Sequence, residues 1–366
     1  MTHDTSPLGH RSSPHTVIAS VQFLRAVAAL MVLIFHAAYA VHTYGGYEYP
    51  YSNAGAAGVD IFFVVSGFVI TYITNCRPFS PLDFMVRRLI RIAPVYWFYT
   101  TVALVVILSL PNLAAHLNYT PSHVVMSYVF ILSRNNDNIV GTLHGMGWTI
   151  CYEMYFYMLF AVMMATLRRF AIHGVACIII FGAVLEHIIV APPFALVAIS
   201  ALPLEFLAGC LLAKLYIRGV FLTAVPALAA VALGFALIYW AGALSLVASE
   251  RDPWRVVFFG LPGVCLVAGL LSLDARGLIW FPRFTIAIGD ASYSLYLSHQ
   301  FVLYAVGKGW VLLGLQNHLP AAFLFGVAVI VPILAAILAY RWLERPLTRW
   351  LNAGWQRRTP VAAAAG

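Results

Sequence analysis

The chain has 366 residues, of which 62% are hydrophobic and 9% are charged. An ordinary soluble domain has roughly 45–50% apolar and about 25% charged residues, so this composition excludes both a soluble globular protein and a disordered chain. The formal net charge is +8, but the basic residues form no stripe, which argues against nucleic-acid binding and predicts a protein that lies mostly in lipid.

Ten apolar segments approach the length of about 20 residues that a membrane-spanning helix needs. They lie near 17–42, 57–75, 87–110, 146–167, 171–191, 196–217, 221–241, 255–272, 285–307 and 322–343. With the N-terminus inside, sixteen of the 21 Lys and Arg residues fall on the cytoplasmic side. The four on the outer side are Arg134, Arg251, Arg255 and Lys308. Because basic loops stay cytoplasmic, we predict an all-α polytopic membrane bundle of about ten transmembrane helices with both termini in the cytoplasm.

The N-terminal segment is polar and the C-terminal segment is Ala-rich, which predicts that neither forms a folded domain. We predict a disordered cytoplasmic N-terminus at 1–15, a membrane domain at 16–346 and a cytoplasmic tail at 347–366. The longest connection, 111–145, faces outward as a lid, an acceptor platform or a simple loop. The five cysteines lie in or beside spans, so we expect neither a disulfide framework nor a metal site.

The first span carries an arginine and a histidine among its apolar residues. A charge inside a membrane helix costs roughly 2.5–3.5 kcal/mol and needs a partner or a wet cavity. Arg25 and His36 are eleven residues apart, which places them on nearly one helix face but about 16 Å apart along the axis. His36 could remove a proton from a hydroxyl, and Arg25 could hold an anion. The alternative is a snorkelling arginine and a hydrogen-bonded core histidine.

The third span begins with two arginines at its cytoplasmic end. Arg88 and Arg91 are three residues apart and therefore share a helix face. Two guanidinium groups there can bind phosphates bidentately. The alternative is that they only anchor the cytoplasmic side.

Acidic residues also occur at the outer ends of spans. Glu153 follows Trp148 in the fourth span and is ringed by tyrosines. From this position it could orient His36, bind a sugar hydroxyl or pair with an arginine. Asp60 stands at the outer start of the second span, where we expect it to lie near water.

The ninth span carries polar residues on two sides of one helix. The two sets are Asp290, Ser294 and Ser298, and Ser292, Tyr296 and His299. A helix that is polar on two sides is expected to lie in the interior, where Ser and Thr join helices by hydrogen bonds. A cavity-lining role for His299 is the functional alternative, whereas for Glu186 and Glu205 the sequence suggests pairing alone.

Intramembrane charges of this kind suit two classes of protein. One is a secondary transporter or flippase whose charged residues line a substrate pathway. The other is an integral membrane enzyme.

Five motifs in order favour the enzyme. They are FLRAVAALMVLIFH, GVDIFFVVSGF, RRLIRIAP, WTICYEMYFY and SYSLYLSH. Together they resemble acyltransferase family 3, the bacterial integral membrane O-acyltransferases, and in particular its exopolysaccharide and lipopolysaccharide acetylases. The resemblance runs from about residue 20 to 345.

The resemblance implies roles for individual residues. His36 corresponds to the family's essential histidine, taken as general base, and Arg25 to the essential arginine of the same motif. Arg88 and Arg91 correspond to the pair thought to hold the acyl-coenzyme A phosphates. We add Glu153 as the acid that orients His36.

The family typically moves an acyl group from cytoplasmic acyl-coenzyme A to a carbohydrate outside the inner membrane. We therefore expect acetyl-coenzyme A as donor substrate, no permanently bound cofactor, and membrane lipid and a glycan as partners, with a polysaccharide assembly machinery as a further partner. Some relatives append a hydrolase-like domain, so we expect this chain to act alone or to pass its acyl group to a separate protein. Direct transfer and a covalent acyl-enzyme both fit the sequence.

Overall fold

The structure is a computed structural model that describes residues 18–46, 52–76, 80–109, 119–250 and 252–358. The predicted disordered segment 1–15, the end of the predicted tail at 359–366, the start of the long connection and Arg251 lie outside the described residues.

The described chain is a bundle of α-helices. The first seven are α1 (Ala19–Gly45), α2 (Gly58–Cys76), α3 (Pro81–Ser109), α4 (Pro121–Tyr128), α5 (Gly147–Leu167), α6 (Ala171–Glu186) and α7 (Pro203–Ile217). The others are α8 (Ala224–Ala243), α9 (Leu261–Ala275), α10 (Arg283–Asp290), α11 (Ser292–Leu312), α12 (Ala321–Ala339) and α13 (Arg345–Arg358). Between α4 and α5, the strands β1 (Ser133–Arg134) and β2 (Val140–Gly141) pair antiparallel. The connection predicted at 111–145 thus contains a short helix and a hairpin.

Seven helical stretches of the described chain are long and apolar enough to cross a membrane, which agrees with an all-α membrane protein. Two predicted spans were wrong in detail. In the span predicted at 196–217, the α-helix extends only from Pro203 to Ile217. At 1.5 Å per residue this helix is about 22 Å long. The span at 285–307 is interrupted at Ala291, between α10 and α11. The count of ten and the orientation of the termini stay predictions.

Helix α1 is the central element of the bundle. It contacts α2, α10, α11 and α12, and its buried positions include many alanines. Small side chains allow neighbouring helices to approach closely in a membrane, where packing drives association. Arg25 and His36 of α1 therefore face other helices across a packed interior.

Helices α2 and α7 cross at two glycines. A Cβ at Gly67 would lie 1.9 Å from the carbonyl oxygen of Phe206, and one at Gly209 would lie 2.0 Å from that of Val64. Neither position has room for a side chain. This close crossing fixes α2, whose Ser66 lines one of the cavities described below.

Two π-helical turns interrupt the regular helices. One, Val256–Gly260, directly follows Arg255 and leads into α9, and the other, Tyr340–Glu344, joins α12 to α13. Such turns often occur at functional sites because they redirect side chains. Here they place Arg255 and Glu344 inside the bundle, where both are buried.

Candidate active site

One cavity holds all three arginines that the sequence singles out. It has a volume of about 140 Å³ and lies among α1, α2, α3, α5 and α11. Its charged lining residues are Arg25, Arg88, Arg91 and Glu153. We call it the arginine cavity; with three guanidinium groups and one carboxylate on its wall, it favours an anionic ligand.

The three guanidinium groups are held differently. Arg91 forms a salt bridge with buried Glu344, which also accepts a hydrogen bond of 2.6 Å from the Ser294 hydroxyl. Arg25 donates to the side chain of Gln22 at 3.2 Å. Arg88 lies against aromatic rings instead of a carboxylate.

The environment of Arg88 leaves its hydrogen-bond donors available. Its guanidinium carbon is 5.6 Å from the ring centroids of both Phe84 and Tyr157. Across the described ranges, no carboxylate forms a salt bridge with it. Because an arginine stacked on rings keeps its N–H edge free, Arg88 can bind an incoming phosphate bidentately.

Glu153 lies in the arginine cavity and not beside His36. It accepts hydrogen bonds from the Ser66 hydroxyl at 3.1 Å and from the hydroxyl of Tyr157. The structure thus differs from the prediction that Glu153 orients the imidazole. The physical reason is that the hydroxyls of Ser66 in α2 and Tyr157 in α5 hold the carboxylate in the arginine cavity.

A second cavity, of about 220 Å³, contains His36. We call it the histidine cavity. Its other lining residues with polar side chains are Asn53, Ser249, Glu250, Arg255 and Tyr296. The remaining wall is apolar and aromatic, and includes Phe35 and Trp148. Aromatic faces beside a few hydrogen-bonding groups suit a small organic ligand with hydroxyls.

His36 is paired with a second histidine, His299 of α11. Their ring centroids are 4.9 Å apart, and His299 Nε2 lies 3.3 Å from His36 Nδ1. Each Nδ1 also faces the carbonyl oxygen four residues earlier in its own helix: Val32 at 2.9 Å for His36 and Leu295 at 3.0 Å for His299. The two rings form the only histidine pair among the hydrogen bonds of the described residues.

These contacts indicate the tautomer of both rings. A carbonyl oxygen can only accept a hydrogen bond, so each neutral ring carries its proton on Nδ1. His36 Nδ1–H is then shared between Val32 and the lone pair of His299 Nε2. The lone pair of His36 Nε2 is left to accept a proton from a ligand.

The two cavities share part of their walls. Val59 of α2 and Tyr296 of α11 line both. Although Arg25 and His36 share nearly one face of α1, they do not line one continuous channel. They stand in two cavities that meet at this pair of residues.

Asp60 lies in the interior and not near water as predicted. Arg255 donates to it bidentately, with distances of 2.9 Å from Nε to Oδ1 and 2.7 Å from Nη2 to Oδ2. Asp60 is 0% and Arg255 2% exposed. Arg255, counted among the outer basic residues, is thus a buried ion-pair partner that also lines the histidine cavity.

The other intramembrane polar residues are buried or hydrogen-bonded within the protein. Glu186 accepts a hydrogen bond of 2.9 Å from the backbone N–H of Ala201, and Glu205 is buried. Ser294 binds Glu344, so that side of the ninth span joins helices as expected. On the other side, Tyr296 lines both cavities and His299 contacts His36. The signal in the sequence was a second polar side on an otherwise apolar helix.

Comparison with known proteins identifies the family. The family model described as an acyltransferase domain matches residues 18–339. The exopolysaccharide production protein ExoZ of Rhizobium meliloti (strain 1021) is 35% identical over 298 residues, which cover 81% of this chain and 90% of that protein. The O-acetyltransferase OatA of Staphylococcus aureus (strain NCTC 8325 / PS 47) is 24% identical over 382 residues, covering 95% of this chain and 60% of OatA. No solved structure matches the chain.

The matched residues include both cavities. His36, Arg88 and Tyr296 all fall between residues 18 and 339, and the helices that carry them belong to the membrane-spanning bundle. The chain therefore belongs to acyltransferase family 3 and is a multi-pass membrane O-acyltransferase.

Proposed function

We propose that the enzyme transfers an acetyl or other short acyl group from cytoplasmic acyl-coenzyme A to a hydroxyl of an extracytoplasmic carbohydrate. The observation that carries this proposal is the meeting of two cavities, one lined by arginines and one by a histidine with a free Nε2. The predicted topology assigns the arginine cavity to the cytoplasmic side. The host membrane is the bacterial inner membrane.

The donor binds by its phosphates in the arginine cavity. Arg88 offers a free bidentate donor edge, while Arg25 and Arg91 add positive charge close by. The salt bridge to Glu344 holds Arg91 in place. From this anchor the pantetheine arm extends toward Val59 and Tyr296, which brings the thioester to the boundary with the histidine cavity.

His36 acts as general base on the acceptor. The hydroxyl enters the histidine cavity and gives its proton to Nε2 as its oxygen attacks the thioester carbonyl carbon. His299 accepts the hydrogen bond from Nδ1–H and so fixes the tautomer that leaves Nε2 free. When the tetrahedral intermediate collapses, the carbon–sulfur bond breaks and the thiolate takes the proton from the imidazolium.

The relatives support a glycan acceptor. ExoZ is named for exopolysaccharide production and OatA as an O-acetyltransferase. An exopolysaccharide or an O-antigen glycan supplies many hydroxyls, and the aromatic and polar wall of the histidine cavity suits a sugar ring. The enzyme then works beside a polysaccharide assembly machinery.

The first test replaces the base. Purified enzyme is incubated with acetyl-coenzyme A and acceptor glycan, and released thiol and acetylated glycan are both measured. His36→Ala is expected to lower kcat by at least about 10²-fold, since general-base catalysis contributes about 10²–10⁴-fold. His173→Ala, at an exposed position of α6, is the matched control. Equal activity of the two variants would contradict the proposed base.

The second test separates the phosphate grip from the chemistry. Arg88→Ala is expected to raise the KM for acetyl-coenzyme A about 10-fold or more, because a charge-assisted bidentate contact is lost. The same variant should leave the KM for acetyl-pantetheine, which lacks the nucleotide phosphates, within about two-fold. Arg169→Ala, at an exposed position just after α5, is the control. An equal change in KM for both donors would contradict a role of Arg88 in binding the phosphates.

A transporter or flippase also has cavities on two sides of a barrier. The two functions differ in the consumption of the donor. Glycan movement across proteoliposomes without release of coenzyme A thiol would favour transport, whereas thiol release that depends on the acceptor supports the enzyme.

A further inference from the structure

Tyr296 occupies the boundary at which the proposed reaction has to take place. It lines both cavities and is only 6% exposed. Val59, the other shared wall residue, has a hydrocarbon side chain. Tyr296 is thus the one residue on this shared boundary, within the described chain, whose side chain can donate a hydrogen bond.

The ring of Tyr296 is held from two sides. Phe62 of α2 packs against it in an edge contact, with ring centroids 6.0 Å apart at 71°. His299 lies one helical turn further along α11, 6.1 Å from the ring centroid. The tyrosine is therefore positioned relative to the same histidine that holds His36.

The hydroxyl of Tyr296 has a hydrogen-bond partner, Thr149, that can act as the donor and so leave the Tyr296 proton unused. Thr149 Oγ1 lies 2.9 Å from the Tyr296 hydroxyl and 3.1 Å from the carbonyl oxygen of Met146. A threonine hydroxyl has one proton. When Thr149 donates to Tyr296, the proton of Tyr296 is free to point at a ligand, and the incoming hydrogen bond strengthens that donor.

We infer that Tyr296 is a further catalytic residue, whose hydroxyl donates a hydrogen bond to the thioester carbonyl oxygen and stabilises its negative charge during acyl transfer. This inference rests on the proposed function. As the acceptor oxygen forms its bond to the carbonyl carbon, the carbonyl π electrons move onto that oxygen, and Tyr296 binds the resulting oxyanion while keeping its own proton. Collapse returns the electrons to the carbonyl and expels the coenzyme A thiolate, which His36 reprotonates.

The experiment compares two buried tyrosines that each lose only a hydroxyl. Tyr296→Phe keeps the ring at the boundary and removes the donor. Tyr96→Phe is the control, because Tyr96 is fully buried and donates to the carbonyl oxygen of Ser127 at 3.0 Å, outside both cavities. Removing one oxyanion donor typically lowers kcat by about 10²–10³-fold, so that loss is expected for Tyr296→Phe with the KM values for acetyl-coenzyme A and glycan within about three-fold. Tyr96→Phe should keep kcat within about three-fold.

A role as a simple barrier gives a different pattern. If Tyr296 only separates the cavities, Tyr296→Phe keeps the kcat of the control while Tyr296→Ala loses it, and that result overturns the inference. Acetylation of Tyr296 itself, sought by mass spectrometry after incubation with acetyl-coenzyme A alone, would overturn it as well.

A second variant tests the inference even if Tyr296→Phe does not fold. Thr149→Val retains the Tyr296 donor but removes its hydrogen-bond partner, and it should lower kcat about 10-fold at unchanged melting temperature. An unchanged kcat in Thr149→Val would contradict the inference even where Tyr296→Phe cannot be purified. Acceptor-dependent thiol release by the wild type tests the proposed function separately, since that activity has to be present before either variant is interpreted.

Discussion

At the scale of single residues, the contacts of the His36–His299 pair determine which ring nitrogen of His36 can accept a proton. Both Nδ1 atoms face backbone carbonyls of their own helices. His36 consequently presents Nε2 to the histidine cavity. A histidine without this constraint would populate both tautomers, and only one of them has its lone pair on Nε2.

Replacement of His299 tests its role as a positioning residue. His299→Ala is expected to lower kcat about 10-fold or more with little change in either KM, because the ring of His36 loses the partner that orients it. His299→Gln offers an amide oxygen to His36 Nδ1–H and should recover part of that loss. Rates equal to those of His173→Ala for both variants would show that the pairing has no catalytic role.

The burial of His144 predicts that the free energy of unfolding depends on pH. It lies in the loop before α5, stacked on Phe301 with centroids 5.2 Å apart, and burial lowers its pKa from 6.5 to about 4. Between these values the unfolded chain binds a proton that the folded chain does not. The contribution of neutral His144 to the free energy of unfolding is thus fully present above about pH 6.5 and is lost as the pH falls toward 4. At 1.36 kcal/mol per pKa unit, this loss amounts to at most about 3 kcal/mol.

Thermal unfolding in detergent checks this expectation. His144→Phe keeps an aromatic ring against Phe301 and removes the titrating group, so its melting temperature should fall less than that of the wild type between pH 6.5 and 4. Parallel pH curves for the two proteins would refute the assignment to His144.

The sequence singled out Arg25 and His36 in α1 but did not identify their partners. Arg25 and His36 stood out because a charged or polar side chain in a membrane helix is costly and needs a partner or a water-filled cavity. His299 was visible only as part of a polar stripe, since its contact with His36 joins positions 263 apart. The position of Glu153 was wrong because aromatic residues surround it on several sides and the sequence does not say which side faces α2.

At the scale of elements, long apolar segments predicted most helices, but breaks inside them were missed. The interruption at Ala291 has no Gly or Pro signal of its own; Gly289 packs against the backbone of Gln22, where a Cβ would lie 2.1 Å from the carbonyl oxygen. The buried pair of Asp60 and Arg255 was missed for a related reason. Both residues stand at span ends, where the sequence alone favours water.

The crossing of α2 and α7 makes a prediction about helix packing. Gly67→Ala would place a Cβ 1.9 Å from the Phe206 carbonyl oxygen and should destabilise the fold by at least about 2 kcal/mol, since overpacking costs about 1–3 kcal/mol. Gly326→Ala in α12 is the matched control, because nothing lies within 4 Å of its added Cβ. We expect a lower melting temperature for Gly67→Ala and an unchanged or higher one for Gly326→Ala; equal values would mean that the helices are not so closely packed.

At the scale of the whole molecule, the bundle brings two cavities of different chemistry into contact. Positive charge surrounds one and a neutral base with aromatic walls the other, and Val59 and Tyr296 stand where they meet. Under the proposed function, a charged donor in one cavity and a sugar acceptor in the other would meet within the bundle without either crossing the membrane. The composition predicted a membrane bundle, but the meeting of the cavities depends on how α1, α2 and α11 pack together.

Acyl transfer across a sealed membrane tests this account most directly. The enzyme is reconstituted in one orientation in proteoliposomes, with acetyl-coenzyme A on the face of the arginine cavity and glycan on the face of the histidine cavity. The account predicts acetylated glycan in this arrangement and none when the two substrates exchange sides. Product formed only when donor and acceptor share one face would contradict it.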